Sequence, residues 1–307
     1  MLINAPFLKE ILSKHNIVVV DGGAKGELFT PFNRVDKSVF TVLRFEPNSE
    51  SEVLTDKNEM VFNKALWSHD GTITINIAKE PSTSSVFEID QRVLKQIDPN
   101  GIDMRMPAKK IEVECCAIDS ICRVHSVPFP DFIKLDIHGS EYEALEGSAY
   151  ALQNHTFGVL VETWTLPIHK GQKTHGDVES LLNRMGLYLF EYFPLIQWTR
   201  QSGDTRFHKV QAGGFDALYF KDIIGTDESR TWDLPQAVKS VALADLFGHH
   251  GYALQLADYF HEIQVIPADV YNNIRTALLA KQSGEVRVKW LQKIGLKAAI
   301  WLSRFTQ

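Results

Sequence analysis

The stretch Ile17-Val18-Val19-Val20-Asp21-Gly22-Gly23-Ala24-Lys25-Gly26 decides the fold. Four β-branched residues in a row predict a strand that is buried on both faces, as in a parallel sheet covered by helices. The glycines that follow allow a tight turn and the close approach of a ligand, because they carry no Cβ. The stretch therefore predicts the first strand of an α/β sheet with a ligand crevice at its carboxyl end.

Strand and helix patterns alternate through the first two-thirds of the chain. Further strands are predicted at 40–45, 61–67, 72–77, 111–117, 132–136, 158–162, 187–193 and 217–220, and a helix at 177–185. This alternation predicts a doubly wound sheet. After about residue 225 only helical periodicity continues, at 238–247, 252–261 and 270–281. We therefore predict an α/β domain over 1–225 and a helical appendage over 226–307.

Composition and charge exclude several classes of protein. The 307 residues are 44% hydrophobic and 23% charged, as in soluble globular proteins rather than disordered ones. The net charge of −6 argues against a nucleic-acid partner. The three cysteines, at 115, 116 and 122, have neither disulfide-framework nor zinc spacing, which favours a reducing, cytoplasmic location. No apolar run approaches the roughly 18 residues of a membrane span.

The charge is uneven, because residues 281–307 carry six basic residues and one acid. Within 289–305, Trp290, Trp301 and Phe305 fall on one helical face beside a stripe of lysines and an arginine. This pattern is typical of a terminal helix packed on its own domain. It also fits peripheral contact with a membrane or a protein partner, and both interpretations stay open here.

An acidic residue follows the second predicted strand in Arg44-Phe45-Glu46-Pro47-Asn48. Glu46 is placed to accept both hydroxyls of a ribose, as in NAD or S-adenosylmethionine sites. The glycine loop lacks the G-x-G-x-x-G spacing that holds a diphosphate, and its Asp21 suits the ammonium group of a methionine. The residues favour S-adenosylmethionine. An NAD-dependent oxidoreductase and a non-catalytic adaptor with a cofactor fold are the alternatives.

The segment from Lys134 to Gly147 carries the candidate catalytic residues. A strand ends at Asp136, a turn with His138 follows, and Glu141 opens a helix, while Glu162 ends another predicted strand. Asp136, His138 and Glu162 are candidates for taking the proton of an acceptor hydroxyl. Asp136 and Glu162 offer two ligands to a divalent cation, too few to favour one, so no metal ligand is predicted.

A polar loop follows Glu162 and is the candidate acceptor site. Trp164, His169 and Gln172 offer a stacking surface and hydrogen-bonding groups to a sugar. An ordinary surface loop is the alternative.

Taken together, these motifs resemble the FkbM-type S-adenosylmethionine-dependent methyltransferases. The matching pieces are Asp21-Gly22-Gly23-Ala24, Phe45-Glu46-Pro47-Asn48, Asn63-Lys64-Ala65-Leu66-Trp67, Ser82 to Ser85, Ile118-Asp119-Ser120, Ile133 to Glu141, Val161-Glu162 and Asp216 to Phe220. The block from Lys134 to Gly147 is the most specific. The common family loop reads D-x-G-A-N-x-G, whereas Gly26 stands one residue earlier here.

The resemblance implies a Rossmann-like sheet of seven strands, mostly parallel with an antiparallel last strand, and a methyl donor across the strand ends. It places Asp21, Gly23 and Ala24 at the methionine, Glu46 at the ribose, and Ala65, Leu66 and Asp119 around the adenine. Gly26, Pro47 and Asn48 complete the implied cofactor site. The implied reaction is O-methylation of a hydroxyl on a sugar, a glycan precursor or a similar small molecule.

Overall fold

The computed structural model describes residues 1–24, 26–47, 58–193, 196–199, 210–225 and 232–280. The predicted cofactor residue Asn48 and the predicted helix over 289–305 lie outside these residues. The described chain forms two compact units. One contains residues 15–225, and the other joins residues 1–14 to residues 232–280.

The strands are β1 (Ile17–Gly22), β2 (Phe40–Phe45), β3 (Glu59–Phe62), β4 (Ala65–Leu66), β5 (Gly71–Ala78), β6 (Pro107–Cys116), β7 (Phe132–Leu135), β8 (Gly158–Trp164), β9 (Leu187–Tyr192), β10 (Ile196–Thr199) and β11 (Val210–Lys221). The α-helices are α1 (Pro6–Lys14), α2 (Gln91–Ile97), α3 (Ile102–Arg105), α4 (Ile118–Val124), α5 (Glu141–Glu146), α6 (Ala149–Asn154), α7 (His175–Arg184), α8 (Leu234–Leu246) and α9 (His250–Glu262). Residues 268–280 are also helical.

The central sheet runs in the order β10-β11-β8-β7-β1-β2-β3, with β9 also paired to β11. Within this order, the neighbouring strands of β8-β7-β1-β2-β3 pair in parallel, and β11 is antiparallel to β8. Every residue of β1 is buried, as its β-branched run predicts. The predicted α/β class, the mostly parallel sheet and the C-terminal helices are confirmed.

The resemblance implies seven strands in this sheet, whereas the described residues form eight. The difference arises because β11 is long enough to pair with two strands along one edge. Its residues Val210–Gly214 pair with β10, and its residues Ala217–Lys221 pair with β9.

A second sheet, in the order β4-β6-β5, was not predicted as a separate layer. The single strand predicted over 61–67 is two short strands, β3 in the central sheet and β4 in this one. Ala65, Ile75 and Cys115 form the buried centre of the small sheet. The small sheet therefore brings apolar side chains of its own to the α/β unit.

The other unit differs from the predicted boundaries, because residues 1–14 belong with the C-terminal helices. Leu8 and Leu12 of α1 are fully buried, and α1 packs against α8. The backbone N–H of Leu2 donates to the buried carboxylate of Asp245 at 2.7 Å. Within the residues that the structure describes, no helix combines the length and the apolar character that a bilayer crossing requires.

Candidate functional site

Three carboxylates meet where parallel strands of the central sheet end. Asp21 lies near the end of β1, Glu46 directly follows β2, and Asp136 directly follows β7. Parallel strands present their carboxyl ends on one edge, where ligands of such sheets bind. All three residues line a cavity of about 350 Å³, which we call the strand-end cavity.

The strand-end cavity brings together most of the predicted cofactor and catalytic residues. Those that line it are Asp21, Gly23, Glu46, Pro47, Ala65, Leu66, Asp136 and His138. Its other wall is apolar and comes from the small sheet, with Ile75 and Ile77 of β5 and Ile111 of β6. The cavity thus has a charged end and an apolar wall.

Gly23 allows the loop after β1 to lie against the end of β7. Its φ is +76°, and a Cβ on it would overlap the carbonyl oxygen of Asp136. The N–H groups of Gly23 and Ala24 donate to the carbonyl oxygen of Phe45 at 3.1 and 3.2 Å. Only glycine fits this position, because any side chain would push the two strand ends apart.

Asp21 is buried between two cations. Its carboxylate oxygens lie 3.4 Å from Arg44 Nη2 and 3.4 Å from Lys134 Nζ. Burial raises the pKa of Asp21, and the charges of Lys134 and Arg44 oppose that rise. Arg44 also donates to the carbonyl oxygen of Gly26 at 2.9 Å, which ties the glycine loop to β2.

His138 and Glu162 form an ion pair beside the cavity, with Nδ1 and Oε2 3.4 Å apart. His138 has a φ of +55°, a backbone conformation that few non-glycine residues adopt. Burial alone would lower the pKa of His138, but the ion pair with Glu162, together with the charges of Asp136 and Glu141, raises it to about 9. A protonated imidazole is a poor proton acceptor at neutral pH. In the free chain the carboxylates are therefore the better bases.

Two further acids surround this pair. Glu141 is buried at the start of α5 and accepts the N–H groups of Ile137 and Gly139 at 2.9 and 2.8 Å, which holds the turn around His138. Burial, followed by the charge of Glu162, raises the pKa of Glu141 to about 8. Asp216 of β11 lies opposite Glu162 in the strand register. Burial, followed by the charges of Asp136 and Glu162, raises the pKa of Asp216 to about 6.

Two of the three predicted acceptor residues lie beside the turn that carries His138. The backbone N–H of His169 donates to Gln172 Oε1 at 3.1 Å, and His169 Nδ1 lies 3.3 Å from the same oxygen. Burial lowers the pKa of His169 to about 4. A Cβ built on Gly139 would lie 3.3 Å from His169 Nδ1 and 3.4 Å from Ser85 Oγ. Ser85 itself lines the strand-end cavity.

Trp164 does not line the strand-end cavity. Its ring is buried and stacks on Trp198, with the ring centroids 5.4 Å apart. Asp119 does not line the cavity either. Its carboxylate oxygens accept the N–H groups of Tyr150 and Ala151 at 2.8 and 3.0 Å, at the start of α6. Ala24 is buried and Gly26 stands outside the cavity wall. The sequence predicted cofactor contacts for Asp119, Ala24 and Gly26, and these contacts stay predictions.

Sequence patterns predicted no role for Lys134, Arg44 or three serines, although Lys134 and the serines line the cavity. The serines are Ser82, Ser84 and Ser85. The sequence did carry a sign of a role for Lys134, because it is a charged residue inside the otherwise apolar strand Phe132–Leu135. The serines had none beyond belonging to a matching motif, because their position depends on how the small sheet packs. The isoleucines of the apolar wall likewise showed only the alternation of an ordinary strand.

The methyltransferase FkbM domain family matches residues 21–188, more than half of the chain. The chain belongs to the methyltransferase FkbM domain family. The family resemblance seen in the sequence is thereby confirmed. The FkbM match extends from Asp21 of β1 to Tyr188 of β9 and covers every described residue that lines the strand-end cavity.

Two solved structures are similar to this FkbM-family chain. The methyltransferase FkbM of Methylobacillus flagellatus KT is 18% identical over 67% of this chain and 43% of that chain, with a TM-score of 0.36. The precorrin-6y C5,15-methyltransferase of Geobacter metallireducens GS-15 is 12% identical over 70% of this chain and 87% of that chain, with a TM-score of 0.31. The present chain thus covers less than half the length of the Methylobacillus flagellatus protein. No curated protein matches it.

Proposed function

We propose that the chain is an S-adenosylmethionine-dependent methyltransferase that methylates a hydroxyl of a sugar, a glycan precursor or a similar small molecule. One observation carries the cofactor proposal. Asp21 and Glu46, on neighbouring parallel strands, line the same cavity together with an apolar wall. Family membership supports the methyl-transfer chemistry, and the acceptor class rests on the family resemblance.

The residues of the strand-end cavity fit this cofactor. Asp21 Oδ1 is buried, and no described residue gives it a well-formed hydrogen bond, although Lys134 Nζ lies 3.4 Å away. This oxygen is available to the ammonium group of a methionine. Glu46 provides acceptors for ribose hydroxyls, and Ala65, Leu66 and Ile75 provide an apolar surface for a base. A cavity of about 350 Å³ is at the lower end of the usual range for ligand pockets.

Bound S-adenosylmethionine would supply an electrophilic methyl group on a sulfonium. The residues of this chain then have to hold the acceptor oxygen in line with that carbon and remove the proton of the hydroxyl. Asp136 lines the cavity. Glu162 does not line it, but it pairs with His138, which does. These carboxylates are the proton acceptors that the free chain offers, because the pKa of His138 is raised. The turn with His169 and Gln172 is the proposed place for the acceptor.

Calorimetry with S-adenosylhomocysteine and with NAD tests the choice of cofactor. We expect one molecule of S-adenosylhomocysteine to bind per chain and NAD to give no heat. Binding of NAD alone would overturn the proposal in favour of an oxidoreductase. A screen of glycan and natural-product acceptors with a labelled methyl donor then tests the acceptor class. Methylation confined to nitrogen or carbon atoms would contradict O-methylation.

The variant Glu46→Ala tests the ribose contact. A hydrogen bond to a charged group contributes about 1.5 to 3 kcal/mol, so S-adenosylhomocysteine should bind at least about tenfold more weakly. Glu27→Gln is the matched control, because Glu27 is an exposed acid at the same cavity. It should leave the affinity unchanged. If both variants lost affinity for S-adenosylhomocysteine equally, the loss would reflect the removal of any negative charge from the cavity and not a ribose contact.

A further inference from the structure

Asp136, His138 and Glu162 form a cluster with three potential metal-ligand atoms. One nitrogen or oxygen atom from each residue lies within 4.8 Å of the other two. The residues come from different parts of the α/β unit, since Asp136 and His138 follow β7 and Glu162 belongs to β8. The sequence offered only Asp136 and Glu162 as ligands. The structure adds the imidazole of His138 as a third, which binds a metal ion after releasing its proton.

One separation in the cluster matches that of a small four-coordinate ion. Zinc binds histidine nitrogen and carboxylate oxygen at about 2.0 to 2.2 Å, so two ligand atoms of a tetrahedral zinc site lie about 3.4 Å apart. His138 Nδ1 and Glu162 Oε2 are 3.4 Å apart. This distance exceeds the roughly 2.7 to 2.9 Å of a charge-assisted hydrogen bond. The longest separation in the cluster is at most 4.8 Å, so binding has to shorten it by at most about 1.4 Å.

The surroundings of Glu162 favour a cation. Its Oε2 is buried, and no described residue gives it a well-formed hydrogen bond. Asp216 lies opposite Glu162 in the register of β8 and β11 and adds a further carboxylate. The ammonium of Lys134 is the competing charge, and it contacts Asp136 through Oδ2 at 3.7 Å. Asp136 has a second oxygen that can act as a ligand.

We propose that Asp136, His138 and Glu162 bind a four-coordinate divalent cation of the Zn²⁺ kind at the edge of the strand-end cavity. Three protein ligands leave a fourth position for water or a substrate oxygen, as in catalytic zinc sites. An imidazole in the ligand set disfavours Mg²⁺ and Ca²⁺, which prefer oxygen ligands in larger numbers. The cation acidifies an acceptor hydroxyl placed at the fourth position. That use rests on the proposed function, whereas cation binding itself does not.

Calorimetry with Zn²⁺ on the full, untagged chain tests the site without any cofactor. We expect one Zn²⁺ per chain and weaker binding of Mg²⁺. His138→Asn removes the imidazole while keeping a residue type that tolerates positive φ, and Glu162→Gln removes a carboxylate without changing its shape. Each variant should weaken Zn²⁺ binding at least about tenfold. His15→Gln and Glu112→Gln, at exposed positions outside the cluster, are the matched controls and should bind as the parent chain does.

Circular dichroism of every variant shows that it folds, and Asp136→Asn replaces any variant that does not. Absence of saturable Zn²⁺ binding up to about 1 mM would overturn the proposal. So would unchanged affinity in both His138→Asn and Glu162→Gln, or Mg²⁺ bound as tightly as Zn²⁺. S-adenosylhomocysteine is titrated in parallel. If S-adenosylhomocysteine binds and Zn²⁺ does not, only the cation site is wrong. If Zn²⁺ binds and S-adenosylhomocysteine does not, only the proposed cofactor is wrong.

Discussion

Gly23 lies where the chain turns after β1, against the carbonyl oxygen of Asp136. The two residues lie more than a hundred positions apart in the sequence, yet their backbones meet at the strand-end cavity. A side chain at Gly23 would therefore disturb Asp21 and Asp136 together. A change at this one position tests whether the close approach of the backbones stabilises the site.

Gly23→Ala should lower the free energy of unfolding more than Gly26→Ala does. Both glycines have a φ near +75°, which costs an alanine about 1 to 2 kcal/mol. A Cβ on Gly26 meets no atom within 4 Å, whereas one on Gly23 overlaps the carbonyl oxygen of Asp136. The overlap should add about 1 to 3 kcal/mol for Gly23→Ala. Urea denaturation of both variants measures the difference, and equal losses would show that the overlap is relieved without cost.

At the level of residues, the sequence could predict the charged end of the cavity but not its apolar wall. Asp21, Glu46 and Asp136 each follow or end a strongly patterned strand, so their common edge follows from parallel pairing. Ile75 and Ile111 reach the cavity only because β5 and β6 pair in a separate sheet. That pairing joins segments more than thirty residues apart, which local patterns do not reveal.

Among the elements, α6 shows how a predicted site residue can instead stabilise a helix. The first N–H groups of a helix lack partners within the helix, and Asp119 accepts two of them, from Tyr150 and Ala151. Its negative charge also suits the positive end of the helix dipole. The geometry therefore favours a capping role over contact with an adenine.

Asp119→Ala should lower the free energy of unfolding by about 1 to 2 kcal/mol, as the loss of a helix N-cap does. The affinity for S-adenosylhomocysteine should stay within about twofold of the parent, a difference below about 0.5 kcal/mol. Asp119→Asn, which keeps one carboxamide oxygen as an acceptor, should recover part of the stability. Chemical denaturation and calorimetry on the same samples measure both quantities. A large loss of affinity at unchanged stability would instead support the adenine contact.

The elements themselves follow from local patterns, but their assignment to layers does not. The sequence predicts one strand over 61–67, and the structure divides it at Asn63 and Lys64, because Ala65 and Leu66 pair with Cys115 and Cys116 of β6. A pairing of two residues leaves no periodicity to detect. In contrast, α8 is recognisable from Asp233, which caps it with Gln236 in a capping box.

At the scale of the whole molecule, residues 1–14 and 232–280 form one unit. The α/β unit lies between these two segments in the sequence. The sequence placed α1 in the first predicted domain, because only the order of segments along the chain indicated which of them belong together. The apolar face of α1 predicts burial but does not identify its partner. The buried carboxylate of Asp245 joins the segments, since it accepts the N–H of Leu2 and contacts His250 Nδ1 at 2.8 Å.

Leu8→Ala should destabilise this unit by about 2 to 5 kcal/mol, because Leu8 is fully buried in it. Native-state hydrogen exchange of the amides in α8 and α9 measures the loss as faster exchange. Leu279→Ala is the control within the same unit, since 37% of Leu279 is exposed. Its effect should stay within about 0.5 kcal/mol. Unchanged exchange in α8 after Leu8→Ala would contradict the packing of α1 on that helix.

The buried bond from Leu2 to Asp245 also orders events during synthesis on the ribosome. Domains fold as units while the chain emerges, beginning with its N-terminal part. Here α1 emerges before the α/β unit, but its leucines are covered only after α8 has been translated. In the interval the α/β unit can complete its sheet while the apolar face of α1 stays accessible to chaperones. Helix α1 is thus translated before the α/β unit and packs against α8 only after that unit has emerged.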